Sequence, residues 1–100
     1  MSKTNWKRRE REAAAMIGGT RYPANMGGPF DCFSDRFECQ VKERKTLSLQ
    51  ELESLAVDMG ELAGNKGKLG LVMVKRSAGS GVKTPWLIVM TASVFKSLVP

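Results

Sequence analysis

The sequence of 100 residues contains no histidine, and its only cysteines are Cys32 and Cys39. Zinc sites in proteins are built mainly from these two residue types, so the composition leaves no plausible zinc set. The hairpin predicted below does not place the two cysteines opposite each other. We therefore expect both to be small buried apolar residues without a disulfide between them.

Long apolar segments are also missing from the sequence. No apolar run is long enough to span a bilayer, and no apolar secretory segment follows the charged N-terminus. We therefore expect a cytoplasmic protein. An apolar fraction of 42% excludes general disorder. The length predicts one domain over residues 1–100, in which residues 1–4 form a loose tail.

Positive charge is in excess, with a net charge of +6 and an isoelectric point near 9.7. This balance favours a polyanionic partner, either nucleic acid or an anionic membrane. The basic residues cluster in segments 3–11, 42–45, 66–68 and 75–83. Because these segments flank the hairpin predicted next, we favour nucleic acid. A small structural or oligomeric protein whose charge serves only solubility is the weakest alternative.

Alternating apolar and polar side chains in residues 31–45 predict a β-hairpin with one apolar face. If Ser34 and Asp35 form the turn, Asp31 lies directly opposite Glu38. The two faces of the second strand then separate its residues by polarity. The apolar face carries Phe37, Cys39 and Val41, and the polar face carries Glu38, Gln40 and Lys42 together with Asp31.

The N-terminal segment has the apolar periodicity of a helix. This helix is predicted to begin at Asn5 as its N-cap and to end at the glycine pair 18–19. Glu10 falls on or beside the apolar face, which is uncommon for an acid. It is either an edge residue in a salt bridge with Arg9 or Arg11, or a carboxylate directed into a site.

A loop rich in glycine and proline is predicted for residues 20–29, before the hairpin. The segment after the hairpin predicts a second, amphipathic helix. Ser48 and Glu51 fit a capping box at its start. Gly64 or Gly67 is expected to end it.

Two apolar runs, residues 69–74 and 86–90, are predicted as strands that are buried on both faces. The basic loop 76–85 between them is either a phosphate clamp or a solvated hairpin loop. Thr91 is expected to cap a short helix that continues through Leu98. The order of the elements predicts a small α/β fold with a mixed sheet flanked by helices.

The polar face of the hairpin suggests chemistry as well as structure. Two carboxylates that face each other across a sheet repel, and a divalent metal ion would explain their pairing. Mg²⁺ prefers hard oxygen ligands, and a nearby lysine can orient a water molecule or bind a phosphate oxygen. Asp31, Glu38 or Gln40, and Lys42 could therefore form a site for phosphodiester hydrolysis. The alternative is an exposed polar strand face without chemistry.

The order of these motifs resembles the PD-(D/E)xK nuclease superfamily, and within it the archaeal- and phage-type Holliday junction resolvases. The resemblance covers most of the chain, although its motifs are short. The matching features, in chain order, are the run Glu10-Arg11-Glu12, the pair Gly18-Gly19, Arg21 in a loop, Asp31 at the start of a hairpin, and Gln40-Val41-Lys42 before a basic patch.

The resemblance implies a restriction-endonuclease-like core and a homodimeric endonuclease that uses Mg²⁺ or Mn²⁺. Its substrate would be branched or structured DNA, as in DNA recombination, inside a bacterial, archaeal or phage-infected cell. No small-molecule cofactor besides the metal is implied. Asp31 would bind metal, Lys42 would position the attacking water, and Glu10 would complete the acidic set. The expected DNA contacts are Arg21, Arg44, Lys45, Lys75, Arg76 and Lys83.

Gln40 departs from the family pattern, which usually has Glu or Asp at this position. Its amide oxygen can still bind a metal ion, but it carries no charge. Glu38 lies two residues earlier on the same face and is the candidate replacement ligand. A DNA-binding relative with weakened catalysis, associated with a phage or its virion, is the alternative function.

Overall fold

The structure is a computed structural model that describes residues 3–100, with side chains from Trp6 onward. It confirms an α/β fold with a mixed sheet. The elements, in chain order, are α1 (Lys3–Met16), β1 (Thr20–Arg21), β2 (Cys32–Phe33), β3 (Phe37–Arg44), α2 (Leu49–Gly64), β4 (Leu69–Arg76), β5 (Trp86–Val89) and α3 (Ala92–Leu98). Among the described residues, no helix combines the length and the apolar character needed to cross a membrane.

The five strands form one sheet in the order β1-β2-β3-β4-β5. β3 and β4 are parallel, and every other neighbouring pair is antiparallel. The helix α2 connects the two parallel strands, because a parallel pair needs a long crossover connection. The α1 helix packs on one face of the sheet and α2 packs on the other, so each face has its own apolar core.

The second helix begins as predicted. The Ser48 hydroxyl accepts a hydrogen bond from the backbone N–H of Glu51, and the Glu51 side chain accepts one from the backbone of Ser48. The helix lies so close to β4 that a Cβ at Gly70 would overlap the backbone of Met59. This close approach presses the apolar side of α2 onto the sheet and closes one core.

The predicted start of α1 is wrong. The helix begins at Lys3, so Asn5 lies inside it and is not its N-cap, and residues 3 and 4 are helical rather than a tail. Residues 1 and 2 of the predicted tail lie outside the described residues. The loop 20–29 also contains a short strand at its start, because Thr20 and Arg21 pair with β2.

The prediction that both C-terminal strands are buried on two faces holds for β4 and is wrong for β5. Leu87 is 54% exposed and Ile88 is 44% exposed. Within residues 3–100, β5 pairs with β4 alone and therefore forms an edge of the sheet. An edge strand has a neighbour on one side only, which leaves its side chains less covered than those of β4.

The predicted hairpin register is also wrong. Cys32 pairs with Cys39 and Phe33 pairs with Glu38, so the turn consists of Asp35 and Arg36. Both cysteines are fully buried free thiols, as expected, but they lie directly opposite each other. The shift by two residues preserves the two faces of the hairpin. It moves Asp31 away from Glu38 and towards Gln40.

Candidate functional site

Asp31 lies immediately before β2, where the hairpin with β3 begins. Its backbone N–H donates to the carbonyl oxygen of Cys39 at 2.8 Å, and its carboxylate Oδ2 accepts from the backbone N–H of Val41 at 2.8 Å. These two bonds hold the Asp31 carboxylate against the middle of β3. The side chain is therefore fixed by the sheet and does not depend on a mobile loop.

Glu10 reaches the same place from α1 and is only 6% exposed. Its Oε1 accepts from Arg21 Nη2 at 2.7 Å and from Arg21 Nε at 2.9 Å. Glu10 is therefore in a salt bridge, but its partner is Arg21 rather than Arg9 or Arg11. The short strand β1 supplies this partner, since it holds Arg21 next to the helix.

The Glu10 and Asp31 carboxyl groups interact. The pKa of Asp31 is raised to about 6, chiefly by burial and also by the negative charge of Glu10. The hydrogen bond from the Val41 N–H and the positive charge of Lys42 lower this pKa, but they do not compensate. The charged form of Asp31 is therefore disfavoured in this site, and a bound cation would stabilise it.

Gln40 lies on β3 beside Asp31. Its Nε2 donates to the carbonyl oxygen of Pro29 at 3.1 Å, which fixes the orientation of the amide. Its Oε1 is buried and has no hydrogen-bond partner among the described residues. A buried acceptor without a partner is costly, so this oxygen is a candidate ligand for a cation or a donor group.

Lys42 is half-buried two residues after Gln40. It lines a groove on the α2 side of the sheet together with Arg44, Leu47 and Gln50. Its charge acts on Asp31, as the pKa of that carboxyl group shows. Among the sequence-predicted cations, Arg21 thus acts on Glu10 by direct contact, and Lys42 acts on Asp31 through its charge.

Glu38 does not join this group. Its side chain is 1% exposed, and its oxygens accept from Tyr22 Oη at 2.5 Å, Lys68 Nζ at 3.0 Å and Lys66 Nζ at 3.5 Å. Burial raises the pKa of Glu38, but the bonds from Tyr22 and Lys68 outweigh it and hold that pKa below its usual value. We call these four residues the Glu38 cluster.

The residues predicted to contact phosphate differ in their surroundings: some are bonded to other protein groups, and others are exposed. Arg21 is occupied by Glu10, while Arg44 and Lys45 are exposed around the end of β3. Lys75 donates to the carbonyl oxygen of Thr84 and lies 5.8 Å from the centre of the Trp86 ring. The remaining two basic residues, Arg76 and Lys83, are exposed at the end of β4 and in the loop that follows it.

A cleft of about 670 Å³ opens beside the carboxylates, and we call it the Asp31 cleft. Its wall includes Trp6 and Tyr22, whose places in the site the sequence did not reveal. Tyr22 is the only tyrosine of the chain and lies in the predicted loop, which is the one signal that could have drawn attention to it.

The donor set partly suits a magnesium or manganese ion. Among the described residues, no group of three or more His, Cys, Asp or Glu side chains is placed to hold a metal ion. Glu10 and Asp31 offer two carboxylates, and the unpartnered amide oxygen of Gln40 offers a neutral third ligand. Mg²⁺ accepts such a set, because it commonly binds one or two carboxylates and retains several waters.

No family model matches the chain, and comparisons with curated proteins and with solved structures return no match. The site must therefore be interpreted from its own geometry.

Proposed function

We propose that this protein is a Mg²⁺- or Mn²⁺-dependent endonuclease that cleaves branched or structured DNA, similar to the PD-(D/E)xK Holliday junction resolvases. The observation that carries the proposal is the pair of carboxylates at Glu10 and Asp31, which line one cleft and interact with each other. Carboxylates in a protein usually remain charged near neutral pH, and a site that raises the pKa of one to about 6 is a candidate for chemistry.

The topology supports the finer assignment to a restriction-endonuclease-like core. A helix precedes the antiparallel strands β1, β2 and β3, and a crossover helix then leads to the parallel strand β4. This arrangement places the helix carboxylate of Glu10 beside the hairpin carboxylate of Asp31. A homodimer inside the cell is the assembly that the same resemblance suggests.

The roles follow from position. Asp31, Gln40 and Glu10 would hold the metal ion, which would stabilise negative charge on the phosphate. Lys42 would position the attacking water through its ammonium group and could also bind a phosphate oxygen. Arg21 fixes Glu10. The basic residues near the ends of the parallel strands would bind the DNA backbone, and they are Arg44, Lys45, Lys75, Arg76 and Lys83.

Cleavage of four-way junction, flap and linear DNA in Mg²⁺ or Mn²⁺ tests the proposal. We expect Lys42→Ala to lower the cleavage rate by about 10²–10⁴-fold, the usual contribution of a positioned acid or base. Lys96→Ala is the matched control, because Lys96 is an exposed lysine on α3 away from the site. If no substrate is cut, or if Lys42→Ala cuts as well as the unchanged protein, the proposal fails.

The second candidate is a DNA-binding protein of the same fold with weakened catalysis, associated with a phage or its virion. Two observations favour it: Gln40 supplies no charge, and Arg21 already neutralises Glu10 at 2.7 Å. This candidate predicts DNA binding that weakens steeply with salt, because affinity would come mainly from phosphate neutralisation. It also predicts that binding is unchanged by Mg²⁺ and that no DNA is cut.

A further inference from the structure

A second cleft of about 590 Å³ uses residues of α1 that the Asp31 cleft does not use. The helix contributes Arg8, Arg9 and Glu12, and β3 contributes Glu43. The end of β4 and the following loop form the opposite wall. We call it the Glu43 cleft, and its volume lies in the range of small-ligand sites.

Glu43 lies at the bottom of this cleft, with only 8% of its side chain exposed. Its Oε2 accepts from Arg9 Nε at 3.3 Å, a long hydrogen bond. Its Oε1 is buried and has no hydrogen-bond partner among the described residues. Arg9 cannot serve both oxygens well, because its Nη1 donates to Glu12 at 2.9 Å.

The mouth of the cleft is basic, in contrast to the acidic Glu43 at its bottom. Arg8, Arg76 and Lys83 are exposed there, and five basic side chains in all line the cleft against two acids. A small cation is therefore a poor occupant. The cleft instead fits a ligand with two kinds of group. An anionic group would bind the cations at the mouth, and an N–H donor would bind Glu43 at the bottom.

A nucleotide has this combination of groups. Its phosphates match the exposed cations, and the exocyclic amine of cytosine, adenine or guanine can donate to a carboxylate oxygen, as cytosine N4 does to Glu and Asp. A base within a duplex exposes only its groove edge, which cannot reach an oxygen buried at the bottom of a cleft. An unpaired nucleotide can enter it.

We propose that the Glu43 cleft binds an unpaired nucleotide of a nucleic-acid strand and prefers bases with an exocyclic amine. Glu43 Oε1 accepts from the amine, and the cations at the mouth hold the neighbouring phosphates. The inference rests on the proposed function only in taking nucleic acid as the partner. It specifies a substrate feature, an unpaired base, that a DNA flap would supply.

Fluorescence anisotropy with short labelled oligonucleotides of deoxycytidine or thymidine tests this inference. Thymine is the one common DNA base without an exocyclic amine. With EDTA present, so that no cleavage occurs, we expect the deoxycytidine strand to bind about tenfold more tightly, as for one hydrogen bond to a charged group. A strand of N4,N4-dimethyldeoxycytidine, which lacks the amine N–H, should bind like the thymidine strand.

Glu43→Gln should abolish the preference, because its amide can turn its NH₂ group towards thymine O4. Glu12→Gln is the matched control, since it removes the same charge from the same cleft. It should strengthen binding to both strands and leave the preference intact. Arg76→Ala should weaken binding to both strands equally and reduce the salt dependence.

The outcomes separate this inference from the proposed function. Equal binding of deoxycytidine and thymidine strands would overturn the inference alone, and so would a preference that survives dimethylation or Glu43→Gln. The dimethylated strand needs no protein variant, so the inference can fail even if Glu43→Gln does not fold. If no oligonucleotide binds at low salt, the inference is wrong, whereas the proposed function stands or falls separately by the cleavage of branched DNA.

Discussion

Two groups of acids near the hairpin differ in how their negative charge is compensated. In the Glu38 cluster, one carboxylate receives hydrogen bonds from a tyrosine and two lysines. In the pair of Glu10 and Asp31, Glu10 accepts from one arginine and Asp31 accepts from one backbone N–H of β3. The first arrangement stabilises the charged acid and suits a structural role. The second leaves charge available for a ligand.

The largest expected effect is the loss of stability in Glu38→Gln. Removing the charge leaves two lysines without their buried partner, and breaking such a pair costs about 3 kcal/mol or more. The free energy of unfolding, measured by urea titration with circular dichroism, should fall by this amount.

Glu53→Gln is the control for that experiment, because Glu53 is an exposed acid on α2. It should change the free energy of unfolding by less than about 0.5 kcal/mol. If the two variants are equally stable, the contrast between the structural and the functional acids disappears.

An intermediate effect is expected in the pH dependence of Asp31→Asn. The folded-state pKa of Asp31, about 6, lies above its ordinary value of 3.8, so the folded protein binds this proton more tightly. Between these two values the Asp31 contribution to stability therefore decreases as pH rises. Above about pH 6, Asp31→Asn should be more stable than the unchanged protein by about 1 kcal/mol, since solvent screens the site.

Urea titrations of both proteins across this pH range give the difference directly. The Glu38 contribution has the opposite sign, because the pKa of Glu38 is lowered: its stabilisation is present above the ordinary value of 4.5 and is lost as pH falls through the folded-state pKa. A difference between Asp31→Asn and the unchanged protein that does not vary with pH would contradict the raised pKa of Asp31.

The smallest expected effect separates the two lysines of the Glu38 cluster. Lys68 lies 3.0 Å from Glu38 Oε2 and its side chain is 24% exposed, while Lys66 lies 3.5 Å from Oε1 and is 47% exposed. Lys68→Ala should cost about 1–2 kcal/mol of unfolding free energy. Lys66→Ala should cost less than about 1 kcal/mol, as for an exposed ion pair. Equal costs in thermal or urea unfolding would show that exposure does not distinguish them.

Local patterns in the sequence predicted the faces of β3 and the capping box of α2, because both depend on residues close together in the chain. The hairpin register could not be predicted in the same way. The Ser34 hydroxyl accepts from the Phe37 N–H, and this contact moves the turn to Asp35 and Arg36, which form no recognised turn pair.

The hydrogen-bond partners of the acids could not be predicted from local sequence patterns. Glu38 meets Tyr22, Lys66 and Lys68 across sequence separations of 16, 28 and 30 residues. Glu10 meets Arg21 through β1, a strand of two residues that is too short to produce an alternation. The candidate carboxylates were thus found from the sequence, whereas the difference between a satisfied and an unsatisfied acid required the structure.

The loop between β1 and β2 is fastened at both ends to the sheet that it covers. Tyr22 donates to Glu38 near its start, and Gln40 donates to the carbonyl of Pro29 near its end. The wall of the Asp31 cleft is therefore preorganised during folding. A ligand that enters the cleft does not have to order this loop, so less conformational entropy is lost on binding and more of the contact energy remains as affinity.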